Sequence, residues 1–516
     1  MLSKRTVQTE YFMPTVTINN RVLDVAPGTT LLQAARQLEI EIPTLCYWEG
    51  VRPMNSCMLC TVRNTQTGQL HSSCSTVVQD GMQIETDTGD VCEARKEVLE
   101  LILSEHIGDC EAPCTHTCPA SMNIPVMMRQ IYDGDFDDAA YTIHNGLVIP
   151  WTLGYVCPAP CENPCRRKSY DETMKIRTLH RNVAEKSLKE NPELLECPPD
   201  TGKRTAVIGA GATGMAAAWV FRKAGHAVVV YEKDDKAGGK LRELPDDKLP
   251  KEVLDTEIDF ITRLGVDFRY NQKVDAEMLE AIREEYDAVV IACAGLGKAG
   301  GKVFEAKEHK LTVMAVGNGK TAAAWANRYL ISVDAKPEPE LFQSKIGKMV
   351  KSEMEAMRDH NENKEAMLVV PITTDEPLAD SRKEAGRCLH CDCRKRVTCT
   401  LRKWSHVYNA EQRKYNTTET KDVRFLGLGG DVYLEPGKCI RCGLCVEIAN
   451  MHGEDIGLAF IGRGFDMEIK VPFNRSLDEG LRKSAAECVA ACPTAAIAFR
   501  NKEDMENCHT TVWIEL

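Results

Sequence analysis

The chain has 516 residues, 43% hydrophobic and 27% charged, with a net charge of −12. That composition builds several cores and excludes a disordered chain, while the acidic balance argues against general binding to nucleic acid or an anionic membrane. No apolar run approaches the roughly 20 residues of a membrane span, and the N-terminal MLSKRTVQTEYFMPTV lacks a signal peptide's apolar stretch, so a soluble, cytoplasmic protein is expected.

The 23 cysteines decide the class. Most stand in short-spaced groups, and in a reducing compartment such groups read as metal or redox sites rather than disulfides. From the N-terminus, Val16, Ile18, Val22 and Val25 are strand-like, Asn19-Asn20 suits a hairpin, Pro27-Gly28 marks a second turn and Thr30 can cap a helix. Cys46, Cys57, Cys60 and Cys74 follow with spacing C-x10-C-x2-C-x13-C, a four-thiolate set for either a [2Fe–2S] cluster or zinc. Residues 91–106 carry Val98, Leu99, Ile102 and Leu103 at helical spacing. The stretches PTLCYWEGVRPMNSCMLCTV and SSCSTVVQDGM resemble the N-terminal ferredoxin domain of iron-only hydrogenases and of the large iron–sulfur subunit of NADH-quinone oxidoreductase. The resemblance covers about residues 14–106 and implies a β-grasp fold binding [2Fe–2S] through those four cysteines.

The next segment reads H-x3-C-x3-C-x3-CP over His106, Cys110, Cys114 and Cys118, then CPAPCENPC with Cys157, Cys161 and Cys165. Six cysteines serve two cubane clusters only if each takes one other ligand. With YDGDFDDAAYTI between them, these motifs resemble the cluster domain of the glutamate synthase small subunit and dihydropyrimidine dehydrogenase. That likeness implies a helical region with two [4Fe–4S] clusters, one on Cys110, Cys114 and Cys165 and one on Cys118, Cys157 and Cys161. His106 then stands where the family has a cysteine, and His180 where it has a polar ligand. Read without the resemblance, both histidines are surface or cap residues.

Residues 204–232 read strand, Gly-rich turn, helix, strand. Gly209, Gly211 and Gly214 form G-x-G-x-x-G, and Glu232 is placed for a ribose hydroxyl. The following Gly238, Gly239 and Lys240, the strand YDAVVIACAG and the segment 311–330 with Gly317 resemble the FAD domain of the glutamate synthase small subunit. Asn318 replaces that family's Asp. Those enzymes insert an NADPH domain before the last segment. Here only about fifteen residues separate Gly295 from Leu311, too few for a βαβ unit of roughly 30. A Rossmann-like FAD domain without its pyridine-nucleotide partner is expected.

DAKPEPEL at 334–341 reads as a linker and about 343–366 as a charged helix. Cys388, Cys391, Cys393 and Cys399 can close a [4Fe–4S] or zinc site. Cys439, Cys442 and Cys445 have ferredoxin spacing; Ala449 replaces a fourth cysteine, so one cluster with Cys492 is expected. This region resembles the ferredoxin-like part of the NADH-quinone oxidoreductase large subunit. Cys92, Cys197, Cys293, Cys488 and Cys508 read as packing residues.

The expected fold class is multidomain α+β and α/β. Its blocks are a β-grasp domain (14–100), a helical two-cluster domain (101–200), an FAD domain (201–335), a linker, helix and four-cysteine motif (336–400) and a ferredoxin-like domain (401–516). One [2Fe–2S], about four [4Fe–4S] and one FAD imply an electron-transfer subunit of a multi-subunit oxidoreductase, with no catalytic residue of its own. The expected partners are an NADH-dehydrogenase-like flavoprotein, a hydrogenase- or formate-dehydrogenase-like catalytic subunit, or soluble ferredoxin. Electron bifurcation at the FAD belongs to the same expectation. The alternatives are a self-sufficient NAD(P)H-dependent reductase and a zinc-binding scaffold.

Overall fold

The computed structural model describes residues 13–499, except 191–196, 297–299, 333–340, 361–371, 373–376, 416–422 and 428–429. Most of the expected linker, the end of the charged segment and Cys508 lie outside the described residues. The described chain forms two compact units. One holds the residues up to Cys110, Leu341–Met349 and those from Cys393 onward; the other holds the rest, from Glu111 to Asp392.

The first unit opens with a five-stranded sheet in the order Arg21–Asp24, Thr15–Ile18, Met82–Glu85, Thr61–Asn64, Leu70–Ser72. Thr15–Ile18 and Met82–Glu85 run parallel, and the other pairs are antiparallel. Alternation sends Val16 and Ile18 inward. The hairpin turns at Asn19 and Asn20, both in the left-handed region that asparagine tolerates. Thr30 and Gln33 form a reciprocal capping box at the start of the helix Leu31–Gln37, whose Leu31, Leu32, Ala34 and Ala35 fill the core. The helix Gly89–Ser104 follows. Toward the C-terminus, Val432–Leu434 pairs antiparallel with Ile497–Phe499, and the helices Leu444–Met451 and Ala485–Ala491 pack together.

The second unit begins with helices Pro113–Thr117, Ile124–Asp133, Phe136–Leu147, Pro150–Val156 and Ile176–Glu190. A five-stranded parallel sheet follows, in the order Val303–Glu305, Ala288–Ile291, Arg204–Ile208, Ala227–Tyr231, Val266–Arg269. Its near-continuous apolar strands are those of a sheet covered on both faces. The helices Ala212–Lys223 and Thr312–Ile331 pack closely because small residues line the seam. A Cβ on Gly319 would stand 3.0 Å from the Thr213 carbonyl carbon. Between Ala288–Ile291 and Thr312–Ile331 the described chain contributes one short strand. The charged segment turns helical only at Lys351, because Leu341–Met349 belongs to the other unit, where the Phe342 carbonyl accepts from Arg402 at 2.9 Å.

Candidate cluster and dinucleotide sites

The strand Arg204–Ile208 ends at Gly209, whose φ of 101° turns the chain into the helix Ala212–Lys223. A Cβ on Gly214 would stand 2.9 Å from the Gly209 carbonyl carbon, so the third glycine lets helix and strand touch. Gly211 differs: a Cβ there would meet no protein atom within 4 Å. Its space is open at a helix N-terminus, where amides favour a pyrophosphate. Gly239 comes up to the same loop, its Cβ position 3.3 Å from Gly211 Cα, after the positive φ of Gly238. Glu232 is buried. Its carboxylate accepts from the Ala210 amide at 2.7 Å and the Asp234 amide at 3.0 Å, which fixes it beneath the loop. Lys240 is exposed and ion-paired to Glu308 at 2.9 Å. Open space at Gly211, a carboxylate beside it and a second glycine turn fit a dinucleotide.

Gly317 lies inside the helix Thr312–Ile331, and a Cβ there would run into the Pro119 carbonyl. Asn318 Nδ2 donates to the Lys307 carbonyl at 2.7 Å. The resemblance expected Gly317 near the flavin; in the fold it also brings the helix onto the loop after Cys118. Lys320, one turn on, is half-buried in that contact, and its Nζ donates to the carbonyls of Ala120 and Gly146, each at 2.7 Å. Burial lowers its pKa to about 8, and Cys118 works the other way.

The N-terminal thiols fall into two pairs. Hydrogen bonding from Cys57 lowers Cys46 to about 5, while Cys57 is raised. Cys74 lowers Cys60 to about 7 and is itself raised. Two pairs of thiols suit two irons, each completed by bridging sulfide.

In the second unit, burial pushes Cys161 up, and the charges of Cys118, Glu162 and Cys157 push it further. Arg177 Nη1 donates to the Cys157 carbonyl at 2.7 Å. His180, one turn beyond on the same helix, is buried; burial lowers it to about 3 and the Pro150 backbone bonds to it. Its Nδ1 has no hydrogen-bond partner, as a neutral imidazole kept for a ligand would leave it.

The remaining cysteines do not group by run. Burial raises Cys114, and the groups acting on it next are Cys388, Cys391, Cys165 and then Cys161. Burial likewise raises Cys388, with Cys391 and Cys165 adding to it. Cys110, by contrast, accepts through its carbonyl from the Cys393 amide at 3.4 Å and through Sγ from the Ser344 amide at 3.3 Å. Burial raises Cys399, and Cys393, Cys110 and Cys492 add to it. The physical reason is a bend at Asp392, whose carboxylate is held by Arg129 at 2.7 and 3.0 Å, so that the run divides between the two units. His106 is buried near Gly108, beside the stem of Lys438. Burial works against the Lys438 charge, but Glu435 at 2.6 Å and the Cys393 thiolate hold its pKa above the ordinary range.

Cys439, Cys442, Cys445 and Cys492 line one pocket, closed by Leu434, Ile440, Leu444, Ile469 and Ile497. Cys488 is not among its lining residues. It donates to the Cys445 carbonyl at 3.6 Å, and burial pushes it up to about 12. Among the described residues no three His, Cys, Asp or Glu side chains close to the spacing of a single ion. A cluster sets its thiolates wider, because its own irons lie between them. The neighbouring groups form a series in each unit: Cys46 acts on Cys442 and Cys492 on Cys399, while Cys161 acts on Cys114.

One local device had no visible signal in the sequence. Ala159, His390 and Arg441 each stand two residues past a cysteine, at φ 53°, 47° and 57°, and donate their amides to the sulfurs of Cys157, Cys388 and Cys439 at 3.4, 3.5 and 3.4 Å. None is glycine, so no turn residue announced it. Lys320, Lys438 and Glu162 were likewise passed over, since a lone charge in a helical or turn pattern normally faces solvent.

Three family models match the chain. A 2Fe-2S iron-sulfur cluster binding domain matches residues 13–89, a dihydropyrimidine dehydrogenase domain II with a 4Fe-4S cluster residues 104–192, and an NAD(P)-binding Rossmann-like domain residues 207–272. The chain is 32% identical over 186 residues to NADPH-Fe(3+) oxidoreductase subunit beta of Geobacter sulfurreducens, covering 35% of this chain and 28% of that one. It is 33% identical over 205 residues to NADP(+)-dependent formate dehydrogenase subunit beta of Moorella thermoacetica, covering 35% and 29%. Against the glutamate synthase [NADPH] small chain of Bacillus subtilis it is 31% identical over 199 residues, covering 38% and 40%. The matched stretches thus span well under half of these relatives. No helix among the described residues is long and apolar enough to cross a membrane. One polypeptide therefore carries a 2Fe–2S domain, a helical 4Fe–4S region of the dihydropyrimidine dehydrogenase type and a Rossmann-like dinucleotide domain.

Proposed function

We propose that the chain is an iron–sulfur flavoprotein subunit that relays electrons inside a multi-subunit oxidoreductase. The carrying observation is the burial of the helix Thr312–Ile331, through Gly317 and Lys320, against the loop that follows Cys118. It joins the dinucleotide domain to a thiol site. Bound FAD would exchange one or two electrons and a cluster one. The chain's own residues hold the dinucleotide at Gly209, Gly211, Gly214, Gly238 and Gly239, fix Glu232 below it, and bury most of the thiols away from water. His106 and His180 are the proposed non-cysteine ligands. One [2Fe–2S] and about four [4Fe–4S] clusters complete the inventory. The donor and acceptor proposed are an NADH-dehydrogenase-like module and a hydrogenase- or formate-dehydrogenase-type subunit, with bifurcation at the flavin supported by the missing pyridine-nucleotide insertion.

Anaerobically purified protein should be brown, contain FAD, iron and sulfide, and give paramagnetic signals after dithionite. A colourless, zinc-containing protein refutes the reading. A second reading, direct binding of a nicotinamide dinucleotide at the same loop, is favoured by the family model over 207–272. A nicotinamide nucleotide in place of FAD in the extract would support it.

A further inference from the structure

We infer that the run Cys388–Cys399 holds no centre of its own. Cys388 and Cys391 complete a four-thiolate cubane site with Cys114 and Cys165, and Cys393 and Cys399 serve a separate site with Cys110. The inference rests on the iron–sulfur reading above and changes which thiols share each centre.

Hydrogen bonds place the first set. The residue before Cys388 and a residue just past Cys165 are joined directly: Arg167 Nη1 donates to the Arg387 carbonyl at 2.9 Å. Arg387 is fully buried, its Nη1 on both Glu384 oxygens at 2.7 Å and its Nη2 on Asp171 at 3.0 Å and the Glu172 carbonyl at 2.9 Å. That network fixes the backbone entering Cys388 against the segment leaving Cys165. On the other side of the pair, Arg129 grips Asp392 through both carboxylate oxygens, from the helix that follows Cys114 and Cys118 in the chain. Cys114, Cys165 and Cys388 all pack against the same core. The His390 amide on Cys388 Sγ is the donor expected at a sulfur that stays thiolate.

Independent bonds place the second set. Cys393 N–H reaches the Cys110 carbonyl, Ser344 N–H reaches Cys110 Sγ, and Arg402 N–H reaches Cys399 Sγ at 3.4 Å. Arg402 also donates to the Arg396 carbonyl at 2.8 Å, which closes the loop between Cys393 and Cys399. Four cysteines within twelve residues look like one site; the bend at Asp392 makes them two halves of different sites.

Double variants of the full chain, reconstituted anaerobically, separate the two partitions by iron content and by the signals lost on reduction. With the thiols divided as inferred, Cys388→Ser/Cys393→Ser strikes two centres and removes about eight irons, whereas Cys114→Ser/Cys388→Ser strikes one and removes about four. A single centre on the run predicts the reverse. Cys388→Ser/Cys393→Ser losing only about four irons, with Cys114→Ser/Cys388→Ser losing about eight, overturns the partition while leaving the iron–sulfur reading intact. Zinc in place of iron in the wild type overturns both. If the first double variant does not fold, the second alone decides, since both of its outcomes are distinct.

Discussion

Substituting Gly317 and Gly211 by alanine separates a packing glycine from a binding one. At Gly317 the new methyl would sit 2.9 Å from the Pro119 carbonyl carbon, where carbon atoms prefer about 3.5–4.0 Å. The obstacle is backbone, so helix or loop must move by several tenths of an ångström or more. Overpacking of this kind costs about 1–3 kcal/mol, and the rigid obstacle puts Gly317→Ala at the upper end. Alanine's better helix propensity returns about 1 kcal/mol. The net loss is about 2 kcal/mol, a melting temperature about 4–8 °C lower for a unit of this size. Gly211→Ala meets no protein atom and keeps an ordinary φ of −73°, so it costs less than about 1 kcal/mol as a weaker N-cap. It fills the open space at the helix N-terminus, so dinucleotide binding falls. Circular-dichroism melts of anaerobic protein, with flavin measured after desalting, give both readouts. A Gly317→Ala protein that melts at or above the wild-type temperature but has lost its flavin would refute the packing account and restore the role expected from resemblance.

Three further outcomes follow from buried groups. Glu257 caps the helix Pro150–Val156 by accepting from the Trp151 and Thr152 amides at 2.7 and 2.8 Å, yet burial lifts its pKa to about 7. Its folded pKa exceeds the unfolded one, so its contribution is complete below the ordinary glutamate value of 4.5 and is lost as pH rises through about 7, ~3 kcal/mol in all. Denaturation midpoints from pH 5 to pH 8 (about that span) should fall more for wild type than for Glu257→Gln; parallel profiles would show the carboxyl is not titrating in the fold. Arg387→Met strands Glu384 without its buried cation, so urea denaturation should register a loss of about 3–5 kcal/mol; a loss under about 1 would contradict the network. Cys488→Ala should keep full iron content while Cys492→Ala loses about one four-iron centre, by metal analysis; the opposite result exchanges their roles.

The sequence made much of the frame legible. Asn19-Asn20 and Thr30 announced a hairpin and a capped helix because turn and cap chemistry is local. The Gly209 loop was legible because strand, turn and helix periods adjoin there. What escaped is what depends on distant partners. The apolar run before Gly317 suits either a strand closing the sheet or a buried helix, and only packing against Ala212–Lys223 and Pro119 decides for the helix. Spacing drew the four cysteines of 388–399 together, but Arg129 and Arg387, remote in sequence from what they hold, govern where each thiol goes.

The amides of Ala159, His390 and Arg441 carry a consequence for how this protein can diverge. A donor aimed at sulfur favours the electron-rich state of whatever that sulfur binds. Proline at any of the three would silence the donor and could not adopt the required φ; glycine would keep it and relax the bend. On the proposed electron-relay reading, driving force can therefore drift through residues that never meet iron, so related chains with identical ligands need not share a redox gradient.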